Sequence, residues 1–185
     1  MPNHVCPWYF GYALANPLRK LYQNPGKILN PYLKSGMKIL EVGPGMGFFS
    51  LPMARRVGES GKIYSVDVQE KMLEGLRKRA RKKYVDHIIE PRLCTEQSLG
   101  VHDLKDSIDF ALAFAVVHEI PDTQNLLGEL RTAMKKGGKL LVSEPKGHVD
   151  LQAFDHVCLM AAQQGFRVTE KPVIRGSHSA ILEAV

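Results

Sequence analysis

The sequence predicts an α/β fold: a largely parallel sheet with helices on both faces. Three observations predict it. Short apolar runs alternate with segments of helical period along the chain. The run IDFALAF at 108–114 is apolar almost throughout, the pattern of a strand covered on both faces. The strand-like KILEV leads straight into Gly43, Gly45 and Gly47 and then into a helical pattern.

The elements follow in order. Residues 16–33 are expected to carry short helical pieces, broken at Pro25 and Pro31. Residues 37–42 read as a strand and 48–57 as a helix. The turn GESGK leads to a second strand at 62–68. The helix at 69–84 is strongly marked, with Met72, Leu73, Leu76 and Ala80 on one face. Strands are expected at 87–94 and 108–114, then a helix at 121–135 stopped by Gly137 and Gly138. A fifth strand follows at 139–144. The next helix, 149–164, sets Phe154, Val157, Cys158 and Ala161 together. Residues 166–174 and 178–184, joined by RGS, read as a terminal hairpin.

The totals narrow the class. A chain of 185 residues suits one domain with a sizeable core. No apolar run is long enough to span a bilayer, and the first twenty residues lack the layout of a signal peptide. Three scattered cysteines, Cys6, Cys94 and Cys158, suit a reducing compartment and show no metal-ligand spacing. A cytoplasmic protein without a metal site or membrane partner is therefore expected. The formal charge of +6 favours anionic partners but says nothing of fold.

In a parallel sheet the ligand sits beyond the carboxyl ends of the strands. There the sequence places Gly43, Gly45 and Gly47, which let a ligand approach the backbone. Their spacing is G-x-G-x-G, not the G-x-G-x-x-G of the dinucleotide fingerprint, which disfavours a nicotinamide-dependent oxidoreductase. Asp67 ends the second strand, 20 residues after Gly47, where a carboxylate can accept both hydroxyls of a ribose. Val68 is placed to pack on a flat base. Thr95, Glu96 and Gln97 follow the third strand, in reach of an adenine edge.

The stretches EVGPGMG, VDVQEKML, FALAFAVVHEIPD and MKKGGKLLVSEP together resemble the successive motifs of class I S-adenosylmethionine-dependent methyltransferases. The resemblance runs from about residue 27 to the C-terminus and is nearest to the small-molecule branch that includes the ubiquinone and menaquinone biosynthesis methyltransferases. It implies a Rossmann-like three-layer sandwich: a seven-stranded, mostly parallel sheet of order 3-2-1-4-5-7-6 with the last strand antiparallel. It also implies roles. Glu41 orders the glycine loop and the methionine end of S-adenosylmethionine, and Gly43 and Gly45 lie against methionine and ribose. Asp67 holds the ribose. Glu96 or Gln97 meets the adenine amino group, and Phe114 offers backbone to the ammonium.

The sulfonium methyl is already activated, so transfer needs mainly alignment and a dry site. A base is needed only for an acceptor that arrives protonated. His118 and Glu119 are the first candidates, and His148 is another. The N-terminal cluster CPWYFGY supplies Trp8, Tyr9, Phe10 and Tyr12 as a lid or dimer contact, with His4 and Cys6 near the acceptor. Monomer and homodimer both fit. The expected acceptor is a small molecule.

Two other readings stand beside this one. The basic helix 77–83 suits an RNA methyltransferase, whose binding would fall with salt. A cofactor-binding module without turnover is the other. AFAVVHE lacks the Asn/Asp-Pro-Pro-aromatic motif of adenine amino-methylating enzymes and the Pro-Cys of cytosine C5 methyltransferases.

Overall fold

The computed structural model describes residues 22–185. The aromatic stretch at 8–12, with His4 and Cys6, lies outside them. By their contacts these residues divide into two compact units, one running to Thr95 and one beginning at Glu96.

The first unit opens with α1 (Pro25–Leu29). Asn24 caps it, accepting from the N–H groups of Gly26 and Lys27, and Pro25 occupies the first turn. Pro25 therefore starts a helix where the sequence suggested a break. Then come β1 (Lys38–Val42), α2 (Ser50–Val57), β2 (Lys62–Asp67), α3 (Glu70–Lys82) and β3 (Ile89–Leu93). Strands β1, β2 and β3 pair in parallel. Helix α2 begins later than expected, because Gly47 sits at φ +84, outside the helical region, and Phe48 and Phe49 belong to the turn. Helix α3 buries Met72, Leu73, Leu76 and Ala80, the face its spacing predicts.

The second unit contains β4 (Ile108–Phe114), α4 (Thr123–Ala133), β5 (Met134–Pro145), α5 (Leu151–Gln163), β6 (Phe166–Glu170) and β7 (Ser177–Ala184). Strand β4 pairs parallel with β5, and β7 pairs antiparallel with both β5 and β6. The whole is a seven-stranded sheet of order β3-β2-β1-β4-β5-β7-β6. Asp122 and Asp150 cap α4 and α5 through the N–H groups of Asn125 and Ala153, so both helices start a little later than the apolar pattern alone implied. On α5, Phe154, Cys158 and Ala161 are buried and Val157 is half-buried.

Two expectations need correction. Gly137 and Gly138 do not stop α4. The helix ends at Ala133, Met134 already pairs with Ile108, and the glycines lie where the β4–β5 register jumps. Gly137 adopts φ +78, and a Cβ on Gly138 would come within 2.9 Å of the Lys135 carbonyl. The hairpin is also shorter than expected. Strand β6 ends at Glu170, because Pro172 has no N–H for the ladder, and the connection runs to Gly176.

Candidate functional site

In the first unit the site residues gather where β1 and β2 end. Glu41 is 2 % exposed. It faces Ser65 across the β1–β2 register, and its Oε2 accepts from Ser65 Oγ at 3.0 Å and from Ser50 Oγ. Burial pushes its carboxyl up to about 7. The two serine hydroxyls oppose that shift and the nearby Asp67 charge adds to it.

Gly43, Gly45 and Gly47 all have positive φ, a region that side chains rarely adopt. Their roles differ. A Cβ on Gly47 would lie 2.5 Å from Leu76 Cδ1, so this glycine permits the loop to pack on α3. Among the described residues a Cβ on Gly45 would meet nothing within 4 Å, so the backbone there borders open space. The Gly43 N–H donates to the Val66 carbonyl at 2.9 Å and ties the loop to β2. Gly75 has no side chain to block Met46, and Arg79 Nη1 donates to the Met46 carbonyl. Arg79 thus turns inward from the basic helix. Its burial lowers its pKa. Arg77 pairs with Glu70, while Lys78, Arg81, Lys82 and Lys83 are exposed.

Asp67 is 8 % exposed. Its Oδ1 accepts from the Gln69 N–H at 2.9 Å, and its carbonyl accepts from the Cys94 N–H. The carboxylate is thereby held at the end of β2. Val68 beside it is exposed.

The second unit carries the remaining residues. Thr95 is the last residue of the first unit and is exposed, as are Glu96 and Gln97. The Gln97 carbonyl accepts from Asn125 Nδ2 at 2.8 Å, and the Leu99 N–H donates to Glu129, which pins this segment to α4. Phe114 is buried at the end of β4. Ala115 after it adopts φ +56 and donates to the Ser143 carbonyl at 2.7 Å. Such strain in a non-glycine residue collects at functional turns.

His118 and Glu119 lie in the short helical turn Val117–Glu119. Glu144, near the end of β5 and 1 % exposed, organises that turn. Its Oε1 accepts from the N–H groups of Val116 and Val117 at 3.1 and 2.9 Å, and its Oε2 takes His118 Nδ1. The hydrogen bond to Glu144 raises the His118 pKa, and the charges of Glu144 and Glu119 add to the rise against an opposing burial effect. His118 Nε2 meets His148 Nδ1 at 3.3 Å, with the rings edge to face. Sequence reasoning missed Glu144 as a site residue. Its signal was the same as that of Glu41, an acid closing an apolar strand, here in LLVSE.

Among the described residues no cluster of three or more His, Cys, Asp or Glu is arranged to hold a metal ion. None of their helices is long and apolar enough to cross a membrane.

Comparison with known proteins bears on this arrangement. A family profile described as a methyltransferase domain matches residues 33–171. Over 110 residues, 60 % of the chain, it is 29 % identical to a protein-L-isoaspartate O-methyltransferase of Thermotoga maritima, covering 32 % of that protein. Over 112 residues, again 60 % of the chain, it is 30 % identical to a ubiquinone/menaquinone biosynthesis C-methyltransferase of Paraburkholderia phymatum, covering 44 % of that protein. The chain thus spans less than half the length of these curated relatives. A crystal structure of a SAM-dependent methyltransferase from Aquifex aeolicus superposes with a TM-score of 0.85 at 24 % identity, covering 97 % of this chain and 98 % of that one. The seven-stranded order with an antiparallel β7 recurs there as fold. With its glycine turn and the acids that close its strands, the chain belongs to the methyltransferase domain family.

Proposed function

We propose that this chain is a single-domain S-adenosylmethionine-dependent methyltransferase acting on a small-molecule acceptor. The observation that carries the reading is the loop after β1. Its backbone at Gly45 borders space that a Cβ would enter freely among the described residues, and the same unit holds the buried Glu41 and the held carboxylate of Asp67. These residues suit the cofactor. Glu41, Gly43 and Gly45 would hold its methionine and sugar, with Gly47 shaping the loop. Asp67 would accept the ribose hydroxyls, Val68 would pack on the base, and Glu96 or Gln97 would meet the adenine edge. Phe114 would offer its backbone to the ammonium. When bound, the cofactor supplies an electrophilic methyl group, so the chain's part is to align an acceptor in line and keep water out.

The relatives include both an O-methyltransferase and a C-methyltransferase, so likeness points to the cofactor before the acceptor. A small acceptor is favoured over RNA because the basic helix spends Arg77 and Arg79 on internal contacts. A cytoplasmic setting goes with this reading, since the chain's three cysteines are few and widely scattered.

Thermal unfolding with excess S-adenosylhomocysteine tests the proposal on wild type and Asp67→Ala. Ligand at about a hundred times its dissociation constant adds about 2.7 kcal/mol. A shift in wild type that shrinks in Asp67→Ala supports the reading. A shift with NADH alone, or none at all, overturns it.

A further inference from the structure

The histidines beyond β4 and β5 form an ordered chain that alignment of a methyl group alone does not require. We propose that Glu144, His118 and His148 are a proton relay, in which His148 receives the acceptor's proton and His118, held by Glu144, takes up the charge. This rests on the methyltransferase reading above.

The argument is one of hydrogen-bond inventory. A neutral imidazole has one N–H and one bare nitrogen. His118 Nδ1 faces the Glu144 carboxylate, which also accepts two backbone N–H groups, so in the neutral ring Nδ1 carries the hydrogen and Nε2 is bare. His118 Nε2 meets His148 Nδ1. For both nitrogens to be satisfied, His148 must carry its hydrogen on Nδ1. His148 Nε2 is then bare, and among the described residues it has no hydrogen-bond partner. Both residues are exposed, although the His118 side chain is only 22 % accessible. Both nitrogens of His118 are used within the protein, so the end of the chain that can meet an acceptor is His148 Nε2. His148 is thus the catalytic residue, and His118 and Glu144 are positioning residues.

The balance closes. An acceptor atom that arrives protonated loses its proton as its bond to carbon forms and the carbon–sulfur bond breaks, with the electron pair staying on sulfur. The acceptor's proton goes to His148 Nε2, and the Nδ1 proton moves to His118 Nε2. Positive charge ends on the ring nearest Glu144 and is later released to water through the exposed His148. Glu119 on the same turn adds negative charge beside His118. His178 stands across from Glu144 in the β5–β7 register, and Lys146 lies in the exposed loop before His148. A raised His118 pKa fits a ring meant to hold that charge.

Histidine-selective nitrogen-15 spectra on wild type, Glu144→Gln and His148→Ala, across about pH 5 to 9, test the relay. The expected result is neutral His148 protonated on Nδ1, and a His118 midpoint above the ordinary value of about 6.5 that falls in Glu144→Gln. His148 protonated on Nε2, or a His118 midpoint indifferent to both substitutions, overturns the proposal. His148→Ala, an exposed change, guards against a folding defect in Glu144→Gln. Labelled methyl transfer from S-adenosylmethionine to catechol and acetylacetone, two acceptors that arrive protonated, gives the second readout. His148→Ala is expected to lower kcat about a hundredfold, with KM for S-adenosylmethionine unchanged. Glu144→Gln is expected to move the rising limb of the pH profile to lower pH. Equal rates in wild type and His148→Ala overturn the relay. So does an absence of transfer by wild type while S-adenosylhomocysteine still raises the melting midpoint. Loss of that thermal shift in wild type overturns the cofactor reading, and the relay with it.

Discussion

Glu41 and Ser65 sit opposite one another on neighbouring parallel strands, and the Ser65 hydroxyl donates to the Glu41 carboxylate at 3.0 Å. The chain thus keeps an acid in its interior, helped by two hydroxyls, at a cost that depends on pH. Below the ordinary carboxyl value of 4.5, Glu41 is neutral in both folded and unfolded chains. Between 4.5 and about 7 the folded protein holds a proton that the unfolded chain has lost, so stability falls as pH rises. Above that window the loss is complete, on the order of 3 kcal/mol. Denaturant unfolding at intervals through this range should show the decline, and Glu41→Gln should flatten it. An equal slope in both proteins would sink the assignment.

The glycines of the loop should separate stability from binding. Gly47→Ala places a methyl 2.5 Å from Leu76 Cδ1 at a positive φ, so it should destabilise by about 2–4 kcal/mol. Gly45→Ala meets open space and carries only the backbone strain, about 1 kcal/mol. If the proposed site is right, Gly45→Ala should nonetheless weaken S-adenosylhomocysteine binding at least tenfold, because its methyl enters the ligand's space. Urea unfolding and calorimetric titration of the two variants would read both effects.

Arg79 offers a comparison within one helix. Its guanidinium donates to the Met46 carbonyl, whereas Arg81 is exposed. Arg79→Gln should destabilise by about 1–2 kcal/mol through the lost charged hydrogen bond, and Arg81→Gln should change stability by less than about 0.5 kcal/mol. Paired melts at one pH decide it. Equal effects would mean that the loop holds its shape without Arg79.

Much of the site could be read from the sequence because it lies at strand ends. Glu41 lies one residue before the end of β1 and Asp67 closes β2, and both positions follow from where an apolar run stops. Glu144 was harder to place. It meets His118 across 26 positions of chain only because Phe114 pairs with Ser143 in the β4–β5 register. Local spacing does not encode that pairing. Gly137 and Gly138 misled for the same reason. After a helical pattern a glycine pair signals a stop, and only the long-range pairing of Met134 with Ile108 turns the pair into a strand irregularity. Arg79 was hidden in a run of six basic residues. It differs from its neighbours by lying next to Ala80 and three positions after Leu76, at the margin of the buried face.

The His118–Glu144 pair makes a stability prediction of opposite origin to that of Glu41. Here the folded chain favours the charged form of the ring, chiefly through its hydrogen bond to Glu144. The pair therefore contributes fully below the unfolded histidine value of about 6.5, and its contribution fades as pH rises through the higher folded value. His118→Asn removes the titrating ring while leaving Glu41 untouched, so the difference between the two proteins cancels the Glu41 slope. The midpoint gap between wild type and His118→Asn should be widest near pH 5.5 and should narrow by about pH 9. Thermal melts of both proteins at the two ends measure it. A gap that stays constant, or widens with pH, would mean that His118 is held neutral in the fold and that Glu144 does not stabilise its charge.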